Sequence, residues 1–106
     1  MVVSMRARED FLLHIKEVIE TLKSIIKQKE AGNINAALLT KAAILMKKTE
    51  SACVDNGRPL LDAGLVRAYQ TQLGELIAEH KLSAILPYEF LRAFSNINNA
   101  YNINLV

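Results

Sequence analysis

LLDAGLVRAYQTQLGELIAEHKLSAILPYEFLRAFSNINNAY, running from Leu60 to Tyr101, carries its apolar residues at helical intervals. Leu61, Leu65, Tyr69, Leu73, Leu76, Ile77 and His80 fall on one side of a first segment. Phe90, Phe94, Ile97 and Tyr101 fall on one side of a second. Recurrence every three or four residues is the pattern of a helix with one buried face. The corner between them, Lys81 to Leu86, is too short to carry the chain far, so the two helices lie antiparallel. Their inner faces need cover that only the first half of the chain can supply.

That half reads as two more helices. Phe11, Ile15, Val18, Leu22 and Ile25 or Ile26 form a stripe over about residues 6–30, widened by Leu12 and Ile19. Glu9 and Asp10 near its start and Lys27 and Lys29 near its end complement the helix dipole. Gly32 suits the left-handed residue that ends a helix, and Asn33 or Asn35 can cap the next. The second helix, about 35–53, carries Leu38, Ala42, Leu45, Thr49 and Cys53 or Ala52, with Leu39 and Met46 beside them.

The clearest break is Asp55-Asn56-Gly57-Arg58-Pro59, with a turn-favouring Asn-Gly pair and a proline suited to open a helix. A calcium loop is a poorer reading, because the remaining oxygen ligands and the closing glutamate are missing. The third helix is expected over about 60–80 and the fourth over about 87–100, with Pro87 and Glu89 in its first turn. Gly64 and Gly74, inside the third helix, each cost about 1 kcal/mol relative to alanine, and close packing against another helix is the reading favoured for them. The short tail from Asn102 is expected to be flexible: a disordered end, an added strand or an apolar flap folded back on the bundle. The fold class is therefore all-α, an antiparallel four-helix bundle running up-down-up-down in one domain over residues 1–106.

Composition narrows the function classes. Apolar residues make up 51% of the 106, enough for an ordinary core. The net charge is +2, but residues 1–48 hold nine Lys or Arg against five acids and residues 49–106 hold four against six, giving +4 and −2. That bias is the ordinary solvated surface of a bundle, or an attraction to an anionic membrane surface or acidic partner. Aromatic interleaving and a recognisable recognition helix are missing, so nucleic acid is not the expected partner. The single cysteine, Cys53, suits a reducing compartment, and Met1 to Asp10 does not read as a secretion signal. No stretch approaches the ~20 apolar residues of a membrane span, and the expected location is the cytoplasm.

A nucleophilic hydrolase needs a serine or cysteine beside an oriented base, and His14, His80 and Cys53 lie on different helices. Two lone histidines without neighbouring ligands do not form a metal site, and no glycine-rich loop follows a strand. Neither a catalytic site, a metal nor a cofactor is expected. Tyr69, Tyr88 and Tyr101 are amphipathic enough to anchor a partner, although two of them continue core stripes.

The pattern of Leu65-Val66-Arg67-Ala68-Tyr69, Ile77 through Lys81-Leu82, Tyr88-Glu89-x-Leu91, Ser95-x-Ile97 and Tyr101-Asn102-Ile103-Asn104 resembles the immunity proteins against pediocin-like (class IIa) bacteriocins, the enterocin A immunity group. The resemblance covers most of the chain and contains no catalytic signature. It implies a four-helix bundle acting in the cytoplasm at the inner face of the cell membrane, as a monomer or weak dimer. The implied partner is the mannose phosphotransferase permease, the membrane receptor, with bacteriocin on it. In that family the C-terminal half discriminates between bacteriocins, here roughly Leu60 to Val106. Arg92, Asn96, Asn99, Tyr101 and Asn102 are the expected partner contacts, since periodicity puts most of them off or at the edge of the core stripe. The competing reading is a helical adaptor, a chaperone or antiactivator, that binds a soluble protein partner.

Overall fold

A computed structural model describes residues 2–105; Met1 and Val106, both within the expected domain, lie outside the described residues. Four helices carry the fold: α1 (Val2–Glu30), α2 (Ala36–Cys53), α3 (Ala63–Glu79) and α4 (Tyr88–Ala100). A two-residue strand pair, β1 (Val54–Asp55) and β2 (Arg58–Pro59), lies between α2 and α3, and a short 3-10 turn, Leu82–Ala84, precedes α4.

Two hydrogen bonds fix the helix directions. Lys29 at the end of α1 donates through Nζ to the carbonyl of His80 at the end of α3, at 3.0 Å. The Tyr101 hydroxyl at the end of α4 donates to the carbonyl of Cys53 at the end of α2, at 2.6 Å. Hence α1 and α3 point one way and α2 and α4 the other, the up-down-up-down order expected. The most extensive packing is of α1 on α2, followed by α2 on α4. The last two are neighbours that run parallel.

The core follows the stripes of α1 and α2 closely. Phe11, Ile15, Val18 and Leu22 from α1 meet Ala42, Met46, Thr49 and Cys53 from α2, all fully buried. Burying each large apolar side chain contributes about 1.5–3 kcal/mol, so this pair supplies much of the driving force. Thr49 is accommodated because its hydroxyl donates to the Leu45 carbonyl one turn back, at 2.8 Å. On α3 the buried line is Val66, Gln70, Leu73 and Ile77, while the expected Leu65, Tyr69 and Leu76 flank it half-buried. The face is turned by about one residue because Gln70, polar by type, is held inside. Its Nε2 donates to the Phe94 carbonyl at 3.2 Å and to Asn98 Oδ1 at 2.7 Å.

Helix ends follow local chemistry. Gly32 takes φ +82°, with Asn33 N–H bonded to the Gln28 carbonyl and Gly32 N–H to that of Lys29. This six-to-one and five-to-two pair satisfies the last carbonyls of α1. Asn35 caps α2 through Oδ1, which accepts from Leu38 N–H at 3.2 Å. The third helix begins at Ala63, three residues later than expected. Asn56 and Gly57, at φ +51° and +76°, close a two-residue hairpin turn, which draws Arg58 and Pro59 into β2. Asp62 is the cap that starts α3, accepting from Leu65 N–H at 3.0 Å. Pro87 stands one position outside α4 as its N-cap, and Glu89 lies in the first turn.

The tail returns to the bundle as the apolar flap, one of the three forms expected of it. A Cβ on Gly74 would stand 2.9 Å from Leu105 Cδ1 and 3.8 Å from the Phe94 ring. Gly74 therefore leaves room for the tail and for α4. Gly64 is exposed, and a Cβ there would meet only the Asp62 carboxylate, so the expectation of helix contact holds for one glycine of the two.

Tyr101→Phe keeps the ring but removes a donor to Cys53 and, among the described residues, the only partner of Leu61 N–H, so a loss of about 1–3 kcal/mol is expected in urea unfolding. Lys81, a non-glycine residue at φ +54°, is strained in the same region that suits Gly32. Lys81→Gly should raise the urea midpoint, corresponding to a gain in unfolding free energy on the order of 0.5–1 kcal/mol; an unchanged or lower midpoint would show that the side chain compensates the strain.

Candidate partner-binding surface

Helical spacing places Arg92, Asn96 and Asn99 along one edge of α4, and the parallel packing of α4 on α2 sets that edge against Lys47 and Glu50. Two adjoining hollows result. One of about 370 Å³ is lined by Lys47, Glu50, Tyr88, Glu89, Arg92, Ala93 and Asn96. The other, about 310 Å³, is lined by Glu50, Val54, Gly57, Asn96, Asn99 and Ala100. Glu50 and Asn96 form the divide between them, joined by a 3.0 Å hydrogen bond from Asn96 Nδ2 to Glu50 Oε2.

The five residues expected at a partner contact divide according to their environment. Arg92 and Asn99 are exposed, and Asn96 is half-buried with its amide committed to Glu50. Asn102 is exposed and takes φ +54°; Ile103 N–H bonds to the Asn98 carbonyl at 2.8 Å and Asn102 N–H to that of Asn99. Asn102 thus ends α4 as Gly32 ends α1, a backbone role that asparagine tolerates. Tyr101 is not an exposed contact. It is 4% exposed, and its hydroxyl, besides donating to Cys53, accepts from Leu60 N–H at 3.2 Å and Leu61 N–H at 3.0 Å.

Sequence reasoning missed Lys47, Glu50 and Gly57, which reach the groove from α2 and the hairpin. The signal available was that Glu50 is the single carboxylate of α2, set among lysines. It also missed the inward turn of Asn98, whose neighbours Asn96 and Asn99 face the groove while it bonds to Gln70. Chemically the groove offers cations at Lys47 and Arg92, carboxylates at Glu50 and Glu89, primary amides, and a Tyr88 ring that is 69% exposed. Such a lining suits recognition of a polar protein segment by hydrogen bonds and charge. Among the described residues, no group of three or more His, Cys, Asp or Glu is placed to hold a metal ion.

Cys53 lies beneath this surface, fully buried. Burial first, and the nearby Glu50 carboxylate second, push its thiol up from 9.0 to about 12. Burial also raises the Tyr101 phenol, opposed by the hydrogen bond from Leu61 N–H. Comparison with family models, with curated proteins and with solved structures returns no match to this chain.

A thiol reagent at neutral pH should leave Cys53 unmodified in the folded protein and label it fully in denaturant, since the reactive thiolate is suppressed by burial. The folded thiol titrates above its unfolded value, so its contribution to stability is complete below about pH 9 and is lost as pH rises toward about 12. A urea midpoint that falls over that alkaline range, with a smaller fall in Cys53→Ala, is the expected outcome.

Proposed function

We propose that this chain is an immunity protein against a pediocin-like bacteriocin, binding the complex of bacteriocin and its membrane receptor permease from the cytoplasmic side. The observation that carries the reading is the edge of α4, where Arg92, Asn99 and the flanking Tyr88 are exposed beside a polar groove in the C-terminal half. The immunity group resembled by the sequence uses that half to discriminate between bacteriocins. Its implied architecture, four helices in up-down-up-down order, agrees with the fold. Much of the shared pattern, including Val66, Ile77, Leu82, Ile97 and Tyr101, is buried and serves the core. Within that pattern Tyr88 and Glu89 are exposed, and Arg92 and Asn99, exposed residues outside it, continue the same edge.

A second reading, a helical adaptor for a soluble protein, is favoured by a different feature. A hollow of about 450 Å³ at one end of the bundle is lined by Arg8, Leu60, Leu61, Asp62 and Leu65. Leu60 is 45% exposed there, and an apolar cleft with a charge at each rim suits an inserted side chain of another protein.

Expression in a strain sensitive to pediocin-like bacteriocins, challenged with a panel of them, separates the two readings. Protection against one or a few toxins is expected, and Arg92→Ala with Asn99→Ala should remove it while shifting stability by no more than about 0.5 kcal/mol, as for ordinary surface changes. Sensitivity to every toxin, with the protein folded in the cells, would transfer the assignment to the adaptor.

A further inference from the structure

Beyond the α4 edge, α2 carries a second surface of different character. Lys41, Ile44, Lys47 and Lys48 are exposed on it. Steps of 100° place Ile44 at the middle of the outward arc, with Lys41 and Lys48 toward α1 and Lys47 toward α4. The single carboxylate of α2, Glu50, is turned away toward Asn96. Among the described residues, none of the three lysines forms an ion pair or a hydrogen bond with a side chain, so their charge is directed outward.

Ile44 is 51% exposed within this basic surround and borders a hollow of about 490 Å³ between α1 and α2. On the α4 side stands Tyr88, 69% exposed, an amphipathic ring of the kind favoured at membrane interfaces. The carboxylates flanking the face are Asp10 on the α1 side and, on the α4 side, Glu89 and the Asn96-bonded Glu50. We propose that the outward face of α2 docks on an anionic lipid surface, with the lysines among the headgroups and Ile44 in the boundary of the acyl region. Lipid is the occupant that meets both halves of the chemistry: negative charge for the lysines, and an apolar layer just beneath it for Ile44. A nucleic acid or an acidic peptide meets only the first. The proposal stands on the charge and exposure of α2, independently of the immunity reading.

The test measures partitioning of the full chain onto vesicles of phosphatidylglycerol mixed with phosphatidylcholine, against vesicles of phosphatidylcholine alone. Two double variants separate a docking face from bulk charge. Lys47→Glu with Lys48→Glu alters the face. Lys16→Glu with Lys23→Glu alters exposed positions roughly 120–180° around α1 from Asp10 and His14. Each pair takes the net charge from +2 to −2, a change of four. A lysine near an anionic surface is worth about fivefold in binding, so the α2 pair should lower partitioning at least about twentyfold. The α1 pair should lower it less than about threefold.

Binding should also weaken steeply as salt rises from about 0.1 M to 1 M, where screening shortens from ~10 Å to ~3 Å. Ile44→Ser should weaken vesicle binding and leave any binding to polyglutamate unchanged. Equal losses from the two pairs, equal binding to neutral vesicles, or tighter binding to polyglutamate than to the anionic vesicles would each overturn the proposal. Circular dichroism confirms that each variant is folded. Failure of the unaltered chain to bind the anionic vesicles, with its bacteriocin protection intact, would overturn this surface alone and leave the immunity reading standing.

Discussion

One hydroxyl joins the end of α4 to the stretch between α2 and α3, at least 40 positions back in the sequence. The Tyr101 hydroxyl donates to the last carbonyl of α2 and accepts from two N–H groups of the backbone that leads into α3, so the end of α4 cannot leave the base of the bundle without breaking three hydrogen bonds and stripping Leu61 N–H of its partner. A hydrogen bond contributes little net stability, but a buried backbone group without its partner is expensive, and this asymmetry makes the junction directional. The hairpin at Asn56-Gly57 brings Leu60 N–H back to the Cys53 carbonyl, which prepares the two acceptor contacts that the phenol then closes. The groove between α2 and α4 is a consequence. With the end of α4 pinned, Asn96 is held opposite Glu50, and Asn99 beside the Gly57 turn.

How much of this could be read from the residues depends on whether their partners were near in the chain. The stripes of α1 and α2 were legible because apolar periodicity is local, and so were the caps at Gly32 and Asn35. Pro59 misled, because the property that suits a helix start, its fixed φ, also suits a short edge strand, and the turn before it decided between the two. Gln70, polar by type, carries no local signal of burial. Only the carbonyl of Phe94 and the amide of Asn98, more than twenty positions away, make its burial affordable.

The candidate surface was legible on the α4 side alone. Arg92, Asn96 and Asn99 share an edge that follows from periodicity. Lys47 and Glu50 join them through the lateral order of the helices, which no single helix encodes. Tyr101 and Asn102 were expected among the contacts, although Tyr101 also continued the core stripe of the fourth helix. The phenol instead satisfies backbone, and Asn102 supplies the left-handed residue that ends α4. Asparagine-rich sequence over the end of a helix thus has a conformational explanation, at Asn102, beside the recognition role proposed for Asn99.

The parallel contact of α2 with α4 bears on how the chain folds. Sequence neighbours α1 and α2 can zip together after a short loop closes, but α4 reaches α2 only once the intervening hairpin and α3 have been gathered in, a span of more than thirty residues. Closing that span costs entropy before its contacts repay it, so the second half of the bundle should condense late, onto a pair of helices already formed. The groove between α2 and α4 would then be the last surface completed, and its presence would signal that the whole chain has reached its native state.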